Sequence, residues 1–469
     1  MKILLIIIHI IVGFLSGLNA IKTYRRDKNI NTFCAFSAGY CLYFGITPVF
    51  VLLLDWSNIT NVSYITTLTF IEDKDYVRAA ILILISYIIF SIVYYLVRNG
   101  IHKKKRMRSI CEPTSVTQRG YLVSLSMGLI TLFVGALSFI IVINALGGIS
   151  SAFNLAEVLR AYGVDGSRFY KNSNYLVFRT LSHILVAAPI ALYVAYMHKK
   201  SRMIQVLFII SFCITLLFEL FNAGRASLIL FLLAFYFMYL IKRFKYPWLM
   251  FFISGMISSL VLSWLDAFFT YMSYGVWIES DLPFYYELTI EFSFPYINVL
   301  NMSRMVDLFG YRYGVDYFTW VINIIPNFIL QKVGMTKLTV SASFTSAYYD
   351  PNGITLGGVP TDVVTLGFRQ LGILGLIIQF ILIGLLCGLL DRMFKKMPDK
   401  RVYILPIFRI CSLFFMSVAY ADIDSIVRGS SDVILITIML FLIAPKYSMT
   451  PLNMSVKKHS VSRRDCVVG

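Results

Sequence analysis

Charge is scarce in this chain. Only 14% of its 469 residues are Asp, Glu, Lys or Arg, against about 25% in an ordinary soluble domain, which excludes a soluble globular enzyme. Histidine is scarce too, and five scattered copies without an HExxH spacing argue against a catalytic zinc site, so neither metal nor cofactor is expected. The seven cysteines form no disulfide framework: Cys34, Cys41, Cys213, Cys387 and Cys411 fall in apolar runs, Cys111 and Cys466 in basic connections. Internal repeats and low-complexity linkers are missing as well, so 1–469 reads as a single membrane domain.

What the chain has is apolar length. It is 58% hydrophobic with mean hydropathy +0.76, and its repeated runs of about 20 apolar residues match the hydrocarbon thickness of a bilayer. The predicted class is all-α and polytopic, with about eleven spans near 3–21, 33–54, 79–97, 120–143, 174–197, 204–221, 226–241, 246–265, 363–390, 402–421 and 430–446. A net charge of +18 would suggest nucleic acid in a soluble protein, but here its placement along the chain matters and no nucleic-acid partner is expected. The connections after the odd-numbered spans carry 27 of the 42 Lys and Arg, which predicts a periplasmic N-terminus and a cytoplasmic tail over 447–469. The run Lys103, Lys104, Lys105, Arg106 and Arg108 is the strongest of these anchors, with an anionic-lipid contact as its alternative reading. Lys22, Arg25, Arg26 and Lys28 follow the first apolar run, so it reads as a retained helix rather than a cleaved signal.

One connection is long. Between the eighth and ninth spans, 266–362 forms a predicted outer loop of 97 residues containing 21 aromatics, nine acidic residues and four basic ones. Long ordered loops are usually functional. Tyr285, Tyr286, Tyr311 and Trp320 are candidate sugar-binding residues, because a sugar ring packs its C–H face on an aromatic. Interfacial belt residues would have the same composition, and Val315 to Leu330 reads as a helix lying on the membrane surface. With a net charge of −5, the loop cannot trap anions generally, so a phosphate would need particular arginines.

Four arginines are candidates. Arg225 lies in the tight turn Asn222-Ala223-Gly224-Arg225-Ala226-Ser227 between two spans. Arg369 follows Asp362 by seven residues, about 10 Å down a continuous helix, where burial costs roughly 2.5–3.5 kcal/mol without a partner. Arg179 shares a helical face with His183, and Arg428 with Asp424; an interhelical polar face and an ordinary ion pair are the plainer readings. Arg409 is a weaker candidate nearer the cytoplasm. Asp362 and Glu291 are the candidate bases, although Asp362 also suits the N-cap of the ninth span and Glu291 an exposed loop charge. The patterns Asp422-Ile423-Asp424 and Glu72-Asp73-Lys74-Asp75 are discounted, because short acidic patterns arise readily by chance.

The stretch from Gly357-Gly358-Val359-Pro360-Thr361-Asp362 to Gly367-Phe368-Arg369-Gln370-Leu371-Gly372-Ile373-Leu374-Gly375, together with Gly224-Arg225-Ala226-Ser227, resembles the Wzy-type O-antigen and oligosaccharide repeat-unit polymerases. The eleven-span plan with one large late periplasmic loop agrees over most of the chain. The resemblance implies a GT-C-like glycosyltransferase of the bacterial inner membrane that joins oligosaccharide repeats carried on undecaprenyl diphosphate. It implies work on the periplasmic side without nucleotide sugar or metal, and a chain-length regulator as partner. Such chemistry requires a cationic site for the leaving diphosphate and a base for the acceptor hydroxyl. Arg225 and Arg369, supported by Arg179 or Arg428, are assigned to the first, and Asp362 or Glu291 to the second. The alternatives are an O-antigen ligase, disfavoured because 266–362 contains no histidine, and a lipid-linked oligosaccharide flippase, disfavoured because repeated halves are missing.

Overall fold

The computed structural model describes residues 1–27, 29–59, 62–99, 113–155, 175–222, 225–244, 282–352, 358–397 and 401–444, with isolated positions between 250 and 277. The predicted span at 246–265 falls almost wholly outside the described residues, as do the basic run 103–108 and the tail 447–469. Every regular element among the described residues is helical. Among the described residues seven helices are long and apolar enough to cross a membrane: Lys2–Asp27, Thr32–Leu53, Asp73–Asn99, Gln118–Ala145, Val177–His198, Arg202–Phe221 and Val363–Lys395. The bent pair Ile423–Gly429 and Ser431–Ile443 makes an eighth if counted as one span. Large apolar side chains such as Ile3, Leu96, Phe133 and Phe441 point outward along these helices, which suits a hydrocarbon solvent and no aqueous one. The chain is therefore a polytopic helical membrane protein.

Aromatic packing joins the first helices to the late ones. Phe33 stacks on Tyr94 at 3.9 Å, Phe36 lies 4.4 Å from Phe90, and the Phe380 ring meets Phe36 and Tyr40 edge-on. At one end of this core the buried charges are fully matched. Arg98 grips both oxygens of Asp27 at 2.6 and 2.8 Å, Tyr94 donates to Asp391 Oδ2 at 2.8 Å, and the Thr32 amide and hydroxyl donate to Asp391 Oδ1 at 2.8 and 2.7 Å.

The late helices depart from the predicted spans. The first departure is a reversal inside Val363–Lys395. Leu371 and Gly372 leave helical geometry, with φ +64 at Gly372. Gln379 Nε2 donates to the Val363 carbonyl at 3.4 Å, whereas a straight helix would hold residues sixteen apart about 24 Å from one another. Residues 363–371 thus form a half-helix folded back on the stem 373–395. A side chain on Gly375 would strike the Gly367 carbonyl at 2.4 Å, so the close approach of the two arms requires glycine.

The second departure follows the helix Ile404–Met416, which ends short of the predicted 402–421. The chain then runs on beside the start of the half-helix: Val363 N donates to Val418 O at 3.1 Å and Ala421 N to Thr361 O at 2.8 Å. Beyond it, Ile423–Gly429 meets Ser431–Ile443 at 72°, so the predicted span 430–446 is the second arm of a bent pair. The long connection is also more than a surface loop. It contains the 26-residue helix Phe284–Phe309, in which every residue from Ser293 to Met302 is buried in the bundle. The surface helix predicted over Val315 to Leu330 is three short pieces: Val315–Tyr317, Thr319–Asn323 and Asn327–Lys332.

Candidate functional site

A reversal within a helix leaves terminal carbonyls without their usual amide donors. Here the carbonyls of Arg369 and Gln370 accept from the amides of Arg312 and Tyr313, each at 2.9 Å. The Gln370 side chain locks the same turn, accepting from Gly314 N at 3.0 Å and donating to Asp316 Oδ2 at 2.9 Å. The other oxygen of Asp316 takes Arg312 Nε at 3.1 Å. Tyr317 donates its hydroxyl to Gln379 on the stem. The loop turn 310–317 is thereby clamped across the tip of the half-helix.

This clamp encloses Arg369, whose side chain has no solvent exposure. Its Nη1 donates to the Ser341 carbonyl and hydroxyl, both at 3.1 Å. The guanidinium lies 5.0 Å from the Phe344 ring centre, and that of Arg312 lies 4.6 Å from the same ring, so one aromatic face system supports two cations. Arg369 Nε and Nη2 are buried without a hydrogen-bond partner among the described residues. Two enclosed, charged donors left unmatched are costly, and costly groups of this kind mark ligand sites more than scaffolds.

The break after Ile404–Met416 brings three further charged side chains alongside. Asp422 is buried and interacts electrostatically with Arg369; its Oδ2 accepts from Ser425 at 2.7 Å, and its Oδ1 has no partner among the described residues. Asp424 is ion-paired with Arg428, with Asp424 Oδ1 and Arg428 Nε left unmatched among the described residues. Burial raises Asp422 above the usual carboxylate range, and the nearby Asp424 and Asp316 push the same way. Among the described residues no group of three or more His, Cys, Asp or Glu side chains is placed to hold a metal ion.

The predicted site residues divide. Arg369 sits at the centre. Asp362 is the N-cap of the half-helix, its Oδ1 accepting from Val364 N at 2.8 Å and Thr365 N at 3.0 Å, while Oδ2 is buried without a partner among the described residues. Burial lifts Asp362 to about 7, against the pull of those amide bonds. Arg428 makes the ion pair with Asp424 that its spacing suggested. Arg179 is half-buried, with His183 within reach of its charge. Arg225 opens the helix Arg225–Arg243, but its side chain lies outside the described residues. Glu291 is half-buried near Tyr43 on Phe284–Phe309.

Of the aromatic candidates, Tyr286 is tied down, donating to Asp55 O at 2.8 Å and meeting Trp56 edge-on. Trp320 is held by its bond to Tyr317 O at 3.1 Å. Tyr285 is exposed, as is Tyr311, which pairs with Tyr313 beside the reversal. Tyr311 also lines an open groove of about 1030 Å³ between the reversal and the start of Asp73–Asn99, walled by Ile81, Leu82, Phe368, Leu371, Ile373 and Leu374.

Sequence reasoning missed Arg312, Asp316, Ser341, Phe344 and Gln370, and it set Asp422 aside. The one local signal was the glycine pair Gly372 and Gly375 flanking the reversal. Comparison of the chain with protein-family models, curated proteins and solved structures finds no match.

Proposed function

We propose that this protein is an inner-membrane glycosyltransferase that polymerises oligosaccharide repeats carried on undecaprenyl diphosphate, with the 266–362 connection on the periplasmic face. The observation that carries the reading is Arg369, a fully enclosed guanidinium whose Nε and Nη2 have no hydrogen-bond partner among the described residues, beside Arg312, Asp316 and Asp422. A planar cation with vacant, paired donors suits phosphate oxygens, to which arginine forms bidentate hydrogen bonds. Transfer from a lipid diphosphate develops negative charge on the leaving group, and a fixed cation in a dry site stabilises that charge. Arg312 is the second cation, held by Asp316 and Phe344 so that it shares the Phe344 support with Arg369. Arg225 keeps its assignment to the diphosphate in the proposal, with Arg179 or Arg428 in support. The exposed Tyr285 and Tyr311 are its sugar-facing aromatics.

The test is an Arg369→Ala strain at equal expression. The expected outcome is collapse of the polymer to single repeats, with turnover of purified protein on lipid-linked repeats reduced by about 10²–10³-fold. Normal modal length would overturn the assignment of Arg369. Deletion of the whole protein is expected to leave lipopolysaccharide with one repeat; bare core would instead identify a ligase.

A further inference from the structure

The polymerase reading needs a base for the acceptor's proton, for which the sequence offers Asp362 or Glu291. As the incoming sugar hydroxyl attacks the anomeric carbon, the new C–O bond forms, the bond from that carbon to the diphosphate oxygen breaks, and the diphosphate departs with the electron pair. The hydroxyl proton must go to a nearby base. A suitable base is a carboxylate with one oxygen fixed and the other vacant, next to the cation that holds the diphosphate.

We infer that Asp422 is this proton acceptor, through its Oδ1. The inference rests on the polymerase reading. Asp422 stands at the foot of Ile423–Gly429, where the chain is pinned to the half-helix by the Ala421 N to Thr361 O bond. Ser425 fixes Oδ2, and Oδ1 is buried with no partner among the described residues. The charged groups interacting with Arg369 include Asp316, Arg312 and Asp422. Asp316 is committed on both oxygens, to Arg312 and to Gln370.

Two other buried carboxylates are less suited. Asp424 is held in an ion pair by Arg428. Asp362 has a vacant Oδ2 as well, but its carboxylate caps the half-helix through Val364 N and Thr365 N and is not among the charged groups named around Arg369. Asp422 instead has carboxylates as its near neighbours, Asp316 from the turn Val315–Tyr317 and Asp424 from its own helix. On the next helix Asp432 is already engaged by Arg409. Burial and the neighbouring carboxylates raise the proton affinity of Asp422, which also interacts electrostatically with Arg369.

The experiment uses the purified full-length protein, lipid-linked repeats, and the variants Asp422→Asn and Asp422→Glu, with thermal unfolding to verify folding. Asp422→Asn is expected to lower kcat by about 10²–10⁴-fold while KM stays within about threefold. It should also abolish the acid limb of the pH–rate profile, where wild-type kcat falls as Asp422 takes up its proton. Asp422→Glu should retain that limb with a reduced kcat. An Asp422→Asn enzyme with near-wild-type kcat, or with its acid limb intact, overturns the inference and leaves the polymerase reading standing. If Asp422→Asn does not fold, an Asp422→Glu enzyme of unchanged kcat and profile overturns it instead. Wild-type protein that makes no polymer from lipid-linked repeats overturns the polymerase reading, and this inference with it.

Discussion

Arg369 and Arg409 are both buried arginines in one helical bundle, yet they are satisfied differently. Arg409 makes a two-pronged contact with Asp432, Nε at 2.7 Å and Nη2 at 3.2 Å, so its burial is accounted for within the protein. Among the described residues Arg369 is bonded through Nη1 alone. The contrast separates an interhelical staple from a candidate ligand site, and residue type alone cannot make it. Asp362 gives a prediction at this scale. Its ionised form is disfavoured by burial, so its folded-state pKa, about 7, exceeds the ordinary value of 3.8. The folded chain then binds more protons than the unfolded chain across that interval, and stability falls as pH rises from about 4 to about 7. Asp362→Asn retains an N-cap acceptor but no titration. It is expected to flatten this slope and to raise the unfolding midpoint at neutral pH, as measured by thermal unfolding in detergent across that pH range.

Two elements are broken where hydropathy reads them as whole. The stretch 363–395 is apolar almost throughout, and a hydropathy sum is indifferent to chain direction, so it reads as one long span. The reversal depends instead on Gly372 with its positive φ, on the Gly367–Gly375 approach, and on amides from 312 and 313 that take the freed carbonyls. Those amides come from more than fifty residues upstream, beyond the reach of local pattern. Irregular backbone at such depth persists only where protein or a cavity satisfies it, and such breaks commonly host binding sites. Gly372→Ala is expected to destabilise the fold by about 1–3 kcal/mol, because an L side chain rarely adopts that φ. The new methyl group would also meet the Tyr311 hydroxyl at 3.3 Å. The lowered unfolding midpoint should be accompanied by faster proteolysis in the 310–317 turn, and an unchanged midpoint would count against a required reversal.

Across the whole molecule, the distribution of Lys and Arg predicts a definite orientation. With the endogenous cysteines other than Cys466 replaced, Cys466 is expected to react with an impermeant maleimide only after the cells are opened. Tyr313→Cys, at an exposed position of the clamp, is expected to react in intact spheroplasts. The opposite pattern would reverse the orientation and move the Arg369 site to the cytoplasmic face. Composition and the spacing of apolar runs determined the polytopic helical class by themselves, since every spanning backbone must satisfy its own hydrogen bonds over a fixed hydrocarbon thickness. They also made Arg369 conspicuous, because an arginine in an apolar run needs a partner or a role. The tertiary structure alone decided what surrounds it. Arg312 with Asp316, Ser341 with Phe344, and Asp422 come from three separate segments, gathered around the half-helix by the reversal at one of its ends and by the chain that follows Ile404–Met416 at the other. Contacts set by chain reversal and long-range hydrogen bonding leave no periodic trace in the sequence.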